Sequence, residues 1–541
     1  MNAGRLGLAG TGLSLLCTFA VAVAGPSVME PVLSGARRQP PWAFDLHLSA
    51  YLAVGLTALG VLAGAAGLVL LLRAVRDGWT VHPRTVLLAG MLAAVVLTLV
   101  PPFGSSDPLS YAAYGRMVAT GHNPYLTTPA QLAAHGDPVA RAVQDWYGQP
   151  SVYGPLASGI QALASLIGGT SVRLTVFVLG LANLLAFGVT ALLLYRMSGG
   201  RERRLRAMLL WTANPLLLQV LIAGGHIDTQ QIVFCVAAVA VLSRGWGSPG
   251  RAALAGALAG LGFAVKVSAA LVVAGLAVAL VLEHRDRERA VVAILLGSLC
   301  AGFAVVAGAA VAIGGSAMLT VTSRASDMVS IGSPWRTIRT VLQGAAGHGA
   351  AGDLVKYGAI VLALVLAVLM VRRIAERRRV SVGVAPVGVA SAGVAPAGVW
   401  VVLALVVAWL FAWPYVLPWY DAFGWAFLAL VPASGLDWLM LARTTALGLA
   451  YLPARTADVS LPRGLHWIQP AFRNGVSPAI ITATVAALIA ITIGNRYSAW
   501  SDFGSVRSAG SAGGSDRHPD GDGRAPARHT GGEGMRGADR R

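Results

Sequence analysis

Apolar runs of membrane-spanning length recur along nearly the whole chain, near residues 6–25, 48–72, 86–101, 172–195, 207–223, 229–243, 252–265, 268–282, 290–313, 354–371, 398–413, 420–433, 437–453 and 476–494. A crossing helix needs about 20 mostly apolar residues, because the hydrocarbon core is about 30 Å thick. Nothing in that core can satisfy an open backbone group, so each such run is committed to helix. The sequence therefore predicts an all-α polytopic membrane protein with about 13–14 transmembrane helices and helical outer loops. Composition agrees: 56% of the 541 residues are hydrophobic and 12% are charged, about half the charged fraction of a soluble chain. An ordinary soluble enzyme, a disordered chain and a fibrous chain are all excluded.

The first run, with Arg5 before it and small residues at its end, has the look of a signal peptide. It reads instead as a retained anchor, because the charge alternation along the chain needs it as a crossing. The net charge of +18 follows that alternation. With a cytoplasmic N-terminus, the inward loops carry Arg73, Arg76 and Arg84; Arg196, Arg201, Arg203, Arg204 and Arg206; Arg244 and Arg251; Arg285, Arg287 and Arg289; and Arg372, Arg373, Arg377, Arg378 and Arg379. The outward loops, 26–47, 102–171, 314–353, 414–419 and 454–475, are nearly neutral and mostly longer. Lys/Arg bias in short loops sets orientation, so the positive charge is a topological signal and no nucleic-acid partner is expected. Cys17, Cys235 and Cys300 lie in apolar runs without metal or disulfide spacing. The runs 252–265 and 268–282 are short and meet at Lys266, so they need not both cross fully. Residues 381–399 repeat Gly-Val-Ala-Pro and read as a loose linker. Residues 496–541, rich in Gly, Ser, Asp and Arg, read as a disordered cytoplasmic tail after a membrane domain over 1–495.

Charged groups at or near membrane depth are costly, so they are the functional candidates. The outer loop after the third run is the richest. Asp107 lies just past the predicted exit, with Tyr111 and Tyr114 at i+4 and i+7. A helix starting near Pro108 puts the three on one face, with Asp107 as its N-cap. Further on come His122, Asn123 and Tyr125 in Gly-His-Asn-Pro-Tyr, and Tyr153 in Val-Tyr-Gly-Pro-Leu. Each is a turn on its own, and each offers rings and amides to a sugar. His226 and Asp228 end the fifth run; two such groups without a third are weak evidence of a metal.

In order and spacing, this set resembles the polytopic glycosyltransferases of the GT-C fold. Gly-Gly-His-Ile-Asp at 224–228, Trp-Pro-Tyr at 413–415 and Pro-Trp-Tyr at 418–420 make it similar to the actinobacterial polyprenol-phosphomannose-dependent α-(1→6)-mannosyltransferases, which build the mannan backbone of lipomannan and lipoarabinomannan. The resemblance covers residues 1–495 or so. It implies mannose transfer from polyprenyl-phosphomannose to a lipid-anchored mannan on the outer face of the plasma membrane, by inverting single displacement. No metal or other cofactor is expected, because the sequence offers no metal cage. The resemblance implies Asp107 as general base, because a sugar hydroxyl attacks more readily as a carboxylate takes its proton. Asp45, in the first outer loop, is the rival base. Lys266, one of only two lysines, and Arg324, Arg336 and Arg339 in an otherwise neutral outer loop are candidates for the donor phosphate. Lys266 could equally be a snorkelling anchor, and Arg324 could pair with Asp327. Tyr111, Tyr114, His122, Asn123, Tyr125, Tyr153, His226, Asp228, Trp413, Tyr415, Trp419, Tyr420 and Asp421 are candidates for sugar or acceptor contacts. The aromatic group at 413–420 reads equally well as an interfacial belt, and Asp421 could pair with a nearby outer Arg. A transporter of a lipid-linked sugar is the alternative; inverted repeats and midplane polar groups would mark one, and the sequence has no clear repeat.

Overall fold

The computed structural model describes residues 3–384, 397–415, 417–453 and 461–494, without the side chains of 377–384 and 397. These residues form helices and connecting turns, and they all lie in the first of two compact units, residues 1–504. The expected tail at 496–541 lies outside them, as does most of the expected linker; helix borders 385–396 on both sides.

In chain order the helices are α1 (Ala3–Ala24), α2 (Ala50–Arg76), α3 (Pro83–Thr98), α4 (Asp107–Ala119), α5 (Pro129–Ala134), α6 (Pro138–Arg141), α7 (Pro155–Gly168), α8 (Val172–Met197), α9 (Arg201–Leu210), α10 (Pro215–Leu217), α11 (Asp228–Ser243), α12 (Pro249–Val265), α13 (Ala270–Glu283), α14 (Arg289–Ala325), α15 (Pro334–Ala346), α16 (His348–Val384), α17 (Ala397–Ala412), α18 (Asp421–Leu428), α19 (Gly435–Ala450) and α20 (Ser477–Ile493). Among the described residues, seven helical stretches are long and apolar enough to cross a membrane, and six shorter apolar helices accompany them. The protein is an all-α polytopic membrane protein. Each apolar run of the sequence has a helix in its place.

One run differs in kind. Residues 420–433 lead, as expected, from one end of the bundle to the other, from Tyr420 on Lys266 to Val431 on Arg206, but the regular helix within them, α18, has only 8 residues, all buried. Its apolarity comes from burial inside the protein among α11, α17 and α19. Such a run carries the same hydropathy as a lipid-facing one, so sequence cannot separate them.

The short pair around Lys266 is a helical hairpin. α12 ends at Val265, Lys266 is extended (φ −153°), and one 3-10 turn, Val267–Ala269, leads into α13. The long α14 breaks at Gly315, whose φ of +67° lies where glycine alone enters freely.

Chain direction sorts the helix ends into two sets. The C-terminal ends of α3, α12, α17 and α19 lie with the N-terminal ends of α8 and α11, where the Asp107 loop also sits. The arginine-rich turns between α8 and α9, and between α11 and α12, lie at the opposite end. The buried pair Arg206–Asp437, 2.7 Å apart, joins the middle of α9 to the first turn of α19 at that end.

Candidate active site

Helix α4 begins one residue earlier than a cap at Asp107 requires. Ser106 occupies the N-cap position and makes no side-chain cap bond, and Asp107 is the first helical residue. Its backbone N–H donates to Ser105 Oγ at 3.1 Å. The carboxylate is thereby released from capping. Trp146 Nε1 donates to its Oδ1 at 3.1 Å, and Tyr111 Oη donates to its Oδ2 at 3.3 Å. The i+4 spacing seen in the sequence is what aims Tyr111 back at Asp107. Tyr114 is turned elsewhere, donating to the Gln149 carbonyl at 3.1 Å.

Trp146 was not singled out from the sequence. It lies 39 residues beyond Asp107 in the same loop, with φ +66°. A bulky residue rarely holds that left-handed conformation, which costs about 1–3 kcal/mol and clusters at functional sites. Here it carries the indole to the carboxylate. The neighbouring Asp145 accepts a short hydrogen bond from Ser106 Oγ, which pins the loop to the start of α4. Only this long-range closure reveals either residue.

His226 closes the other side. Its Nε2 is 3.6 Å from Asp107 Oδ2 and its Nδ1 is 2.6 Å from the Val220 carbonyl oxygen. That carbonyl is left open because residues 218–223 form a π-helical turn, and Gly225 N–H donates to Ile222 instead. Gly225 reverses the chain at φ +67°, against Pro108, so a glycine is needed where α4 and the His226 turn meet. A carbonyl can only accept, so Nδ1 carries the proton and the Nε2 lone pair faces Asp107. The imidazole lies flat on Trp419, with centroids 3.6 Å apart and planes at 16°. Trp419 in turn meets Tyr451 edge-on at 5.2 Å.

Burial governs the charge states. Asp107 is only 9% exposed. Removal from water lifts its carboxyl to about 6, the Trp146 hydrogen bond opposing and the Asp145 charge adding. Burial holds the His226 imidazole down at about 3, against the Val220 hydrogen bond. At neutral pH the pair is a carboxylate beside a neutral histidine.

Lys266 stands next to this pair. Its Nζ donates to Asp228 Oδ1 at 2.8 Å and sits 3.5 Å from the centre of the Tyr420 ring. The lysine and aspartate side chains are 13% and 7% exposed, so Lys266 is no snorkelling anchor. Tyr153 links the two halves: its Oη donates to Tyr111 Oη at 3.4 Å, and their rings meet at 5.3 Å. The next residue, Gly154, donates its N–H to the Val265 carbonyl at 2.9 Å, and a Cβ there would strike the Ala264 carbonyl. The Val-Tyr-Gly-Pro-Leu motif is thus docked directly on the Lys266 hairpin.

A family model for the N-terminal domain of α-(1→6)-mannopyranosyltransferases matches residues 4–282, just over half of the 541-residue chain. The chain belongs to this family. The matched segment holds Asp107, Tyr111, Trp146, Tyr153, His226, Asp228 and Lys266, while Trp419 and Tyr420 lie beyond it. The chain is also similar to α-(1→6)-mannopyranosyltransferase B of Corynebacterium glutamicum, 32% identical over 158 residues. That stretch is 28% of this chain and spans about a quarter, 26%, of the relative's length. No solved structure matches the chain.

The remaining candidates, Tyr415 beside Tyr420 excepted, lie apart from the Asp107 cluster. Asp45 has a positive φ of +54° and pairs with the exposed Arg37 at 3.3 Å. Asn123 Oδ1 accepts from Tyr125 N–H within its own turn, Tyr125 Oη meets Ser158 Oγ at 3.3 Å, and exposed His122 meets Thr120. That motif ties the loop to α7. Arg324 and Arg336 are exposed on the surface and Arg339 is half-buried. Asp327, weighed as a partner for Arg324, is bound by Lys356 at 2.7 Å. Asp421, expected beside a sugar, is fully buried: Arg443 donates to Oδ1, and Thr444 Oγ1 donates to Oδ2 at 2.8 Å. Its carboxylate serves the packing of α18 on α19. Tyr415 stands edge-on to Tyr420 at 6.4 Å, and Trp413 is packed against the core.

Among the described residues, no group of three or more His, Cys, Asp or Glu is arranged to hold a metal ion. The cluster brings together two carboxylates, one neutral imidazole, one cation and an aromatic wall.

Proposed function

We propose that the chain transfers mannose from polyprenyl-phosphomannose to a lipid-anchored α-(1→6)-mannan acceptor, on the outer face of the plasma membrane. The observation that carries this reading is the placing of Asp107 between Trp146, Tyr111 and His226, within one cluster that also holds Lys266. Family membership supports the sugar and the linkage. The positive-inside pattern supports the outer face, because the cluster lies at the end of the bundle away from the arginine-rich turns.

In this reading the acceptor 6-hydroxyl attacks the anomeric carbon as Asp107 takes its proton. A carboxyl near 6 is ionised at neutral pH yet basic enough to share the proton in the transition state. The bond from the anomeric carbon to the phosphate oxygen breaks, and polyprenyl phosphate leaves with the electron pair. Phosphate departs without an acid, so one carboxylate suffices where a glycosidase needs two. Displacement on a β-linked donor gives the α-mannoside. Lys266 meets the phosphate as a point charge. His226 Nε2 then accepts a hydrogen bond from protonated Asp107, holding the acid that the step creates. Trp419, Tyr420, Tyr111 and Tyr153 supply ring faces and hydroxyls to the sugars. Asp107→Asn in membranes given labelled polyprenyl-phosphomannose and a short α-(1→6)-mannoside tests this: transfer should stop, and retained turnover would refute the assignment.

A further inference from the structure

At the end of the bundle opposite Asp107, a cavity of about 360 Å³ opens between the turn joining α8 to α9 and the end of α11. It is remote from the reaction. Helix α11 runs from Asp228 beside Lys266 to Ser243 on the cavity wall, roughly 22 Å at about 1.5 Å per residue. Four arginines line it, Arg196, Arg203, Arg206 and Arg244, and no acidic residue does. Orientation by the positive-inside rule needs arginines only somewhere in these loops. It does not need four of them converging on one concave space.

Polar atoms without partners give the second observation. Arg206 is 7% exposed. Its Nε donates to the Val431 carbonyl and its Nη2 to Asp437 Oδ1 at 2.7 Å, but Nη1 is buried without a hydrogen-bond partner. Ser198, 5% exposed, and Ser243 also line the cavity with buried hydroxyls that have no partner. Leaving a buried donor unmade costs about 1–3 kcal/mol, more beside a charge. Asp437 pairs with the Arg206 guanidinium, Arg203 Nε donates to the Gly199 carbonyl at 2.9 Å, and Arg196 and Arg244 are exposed at the cavity.

We propose that this cavity is a binding site for a phosphoryl group. Arginine forks donate to phosphate oxygens in pairs, and the two unpartnered hydroxyls add further hydrogen-bonding groups. The volume lies at the low end of the range for small-ligand pockets and holds a headgroup or a free phosphate compound, with no room for a larger sugar lipid. The site is independent of the transfer reaction.

The test uses the full-length protein in phosphatidylcholine nanodiscs, read by thermal unfolding. One arm titrates inorganic phosphate against chloride at matched ionic strength; the other replaces part of the lipid with phosphatidylglycerol. The wild type should melt at higher temperature in at least one arm. Arg196→Gln/Arg203→Gln/Arg244→Gln should need about tenfold more phosphate or anionic lipid for the same shift. Arg206→Lys, which keeps a cation beside Asp437 but removes Nη1, should weaken it in the same direction. A shift with phosphate alone identifies a soluble phosphoryl ligand, and a shift with phosphatidylglycerol alone identifies a lipid headgroup. No shift in either arm, or an equal shift in the triple variant, would overturn the proposal.

Discussion

His226 Nε2 and Asp107 Oδ2 lie 3.6 Å apart, with the imidazole proton already committed to the Val220 carbonyl on the far side of the ring. The histidine can therefore receive a hydrogen bond from Asp107 only when Asp107 is protonated. Replacing His226 with Phe keeps a ring on Trp419 and removes that acceptor. A neutral acceptor favours the protonated acid, so its loss lowers the Asp107 pKa. Transfer should slow by roughly tenfold or more, and the acid limb of the rate profile should move to lower pH. An unmoved limb would make His226 a packing residue only.

The pH profile itself follows from Asp107. Its carboxyl sits near 6 where 3.8 is ordinary, so kcat/KM should fall as pH drops through about 6 and level off above. The sign for stability is opposite. The folded state holds this proton more tightly than the unfolded chain, so stability declines as pH rises between those two values. By about 1.4 kcal/mol per pKa unit, the ionised site costs on the order of 2–3 kcal/mol at neutral pH. Thermal melts of Asp107→Asn should therefore match or exceed wild type; a large loss of stability would contradict this.

Trp146 acts in the other direction. Its indole N–H favours the ionised form of Asp107. Trp146→Phe keeps the bulk and removes the donor, so the acid limb should shift to higher pH. Activity at pH 6 should fall more than activity at pH 8. Equal losses at both would mean that Trp146 supports only the loop.

Lys266 has two roles that a double substitution separates. Lys266→Met strands buried Asp228 and should cost about 3–5 kcal/mol. Adding Asp228→Asn removes the stranded charge and should restore most of that stability. The apparent KM for the lipid-phosphate donor should stay raised in both. Recovery of donor affinity in the double variant would make the pair structural.

Much of the fold was legible because a bilayer leaves apolar runs so few options. From residue 420 onward the sequence shows the apolar run but not its kind, because a helix buried in protein and one buried in lipid show the same apolarity. In the site, Asp107 and Tyr111 were legible through helical spacing, and His226 and Lys266 through the cost of charge near the membrane. Trp146 was not, since its contact is made by loop closure over 39 residues and depends on one unusual backbone angle. For Asp421 an arginine partner was open alongside a sugar, but which arginine, Arg443 22 residues on, only the packing shows. Burial of a carboxylate against a fork of donors is a packing fact that neighbouring residues do not announce.

The most direct measurement compares Asp107→Asn with Asp45→Asn at equal expression in membranes, using labelled polyprenyl-phosphomannose and an α-(1→6)-mannoside acceptor. Asp107→Asn should abolish transfer of labelled mannose, while Asp45→Asn should retain it. Wild-type turnover by Asp107→Asn, with loss in Asp45→Asn, would contradict the account and move the base to the first outer loop.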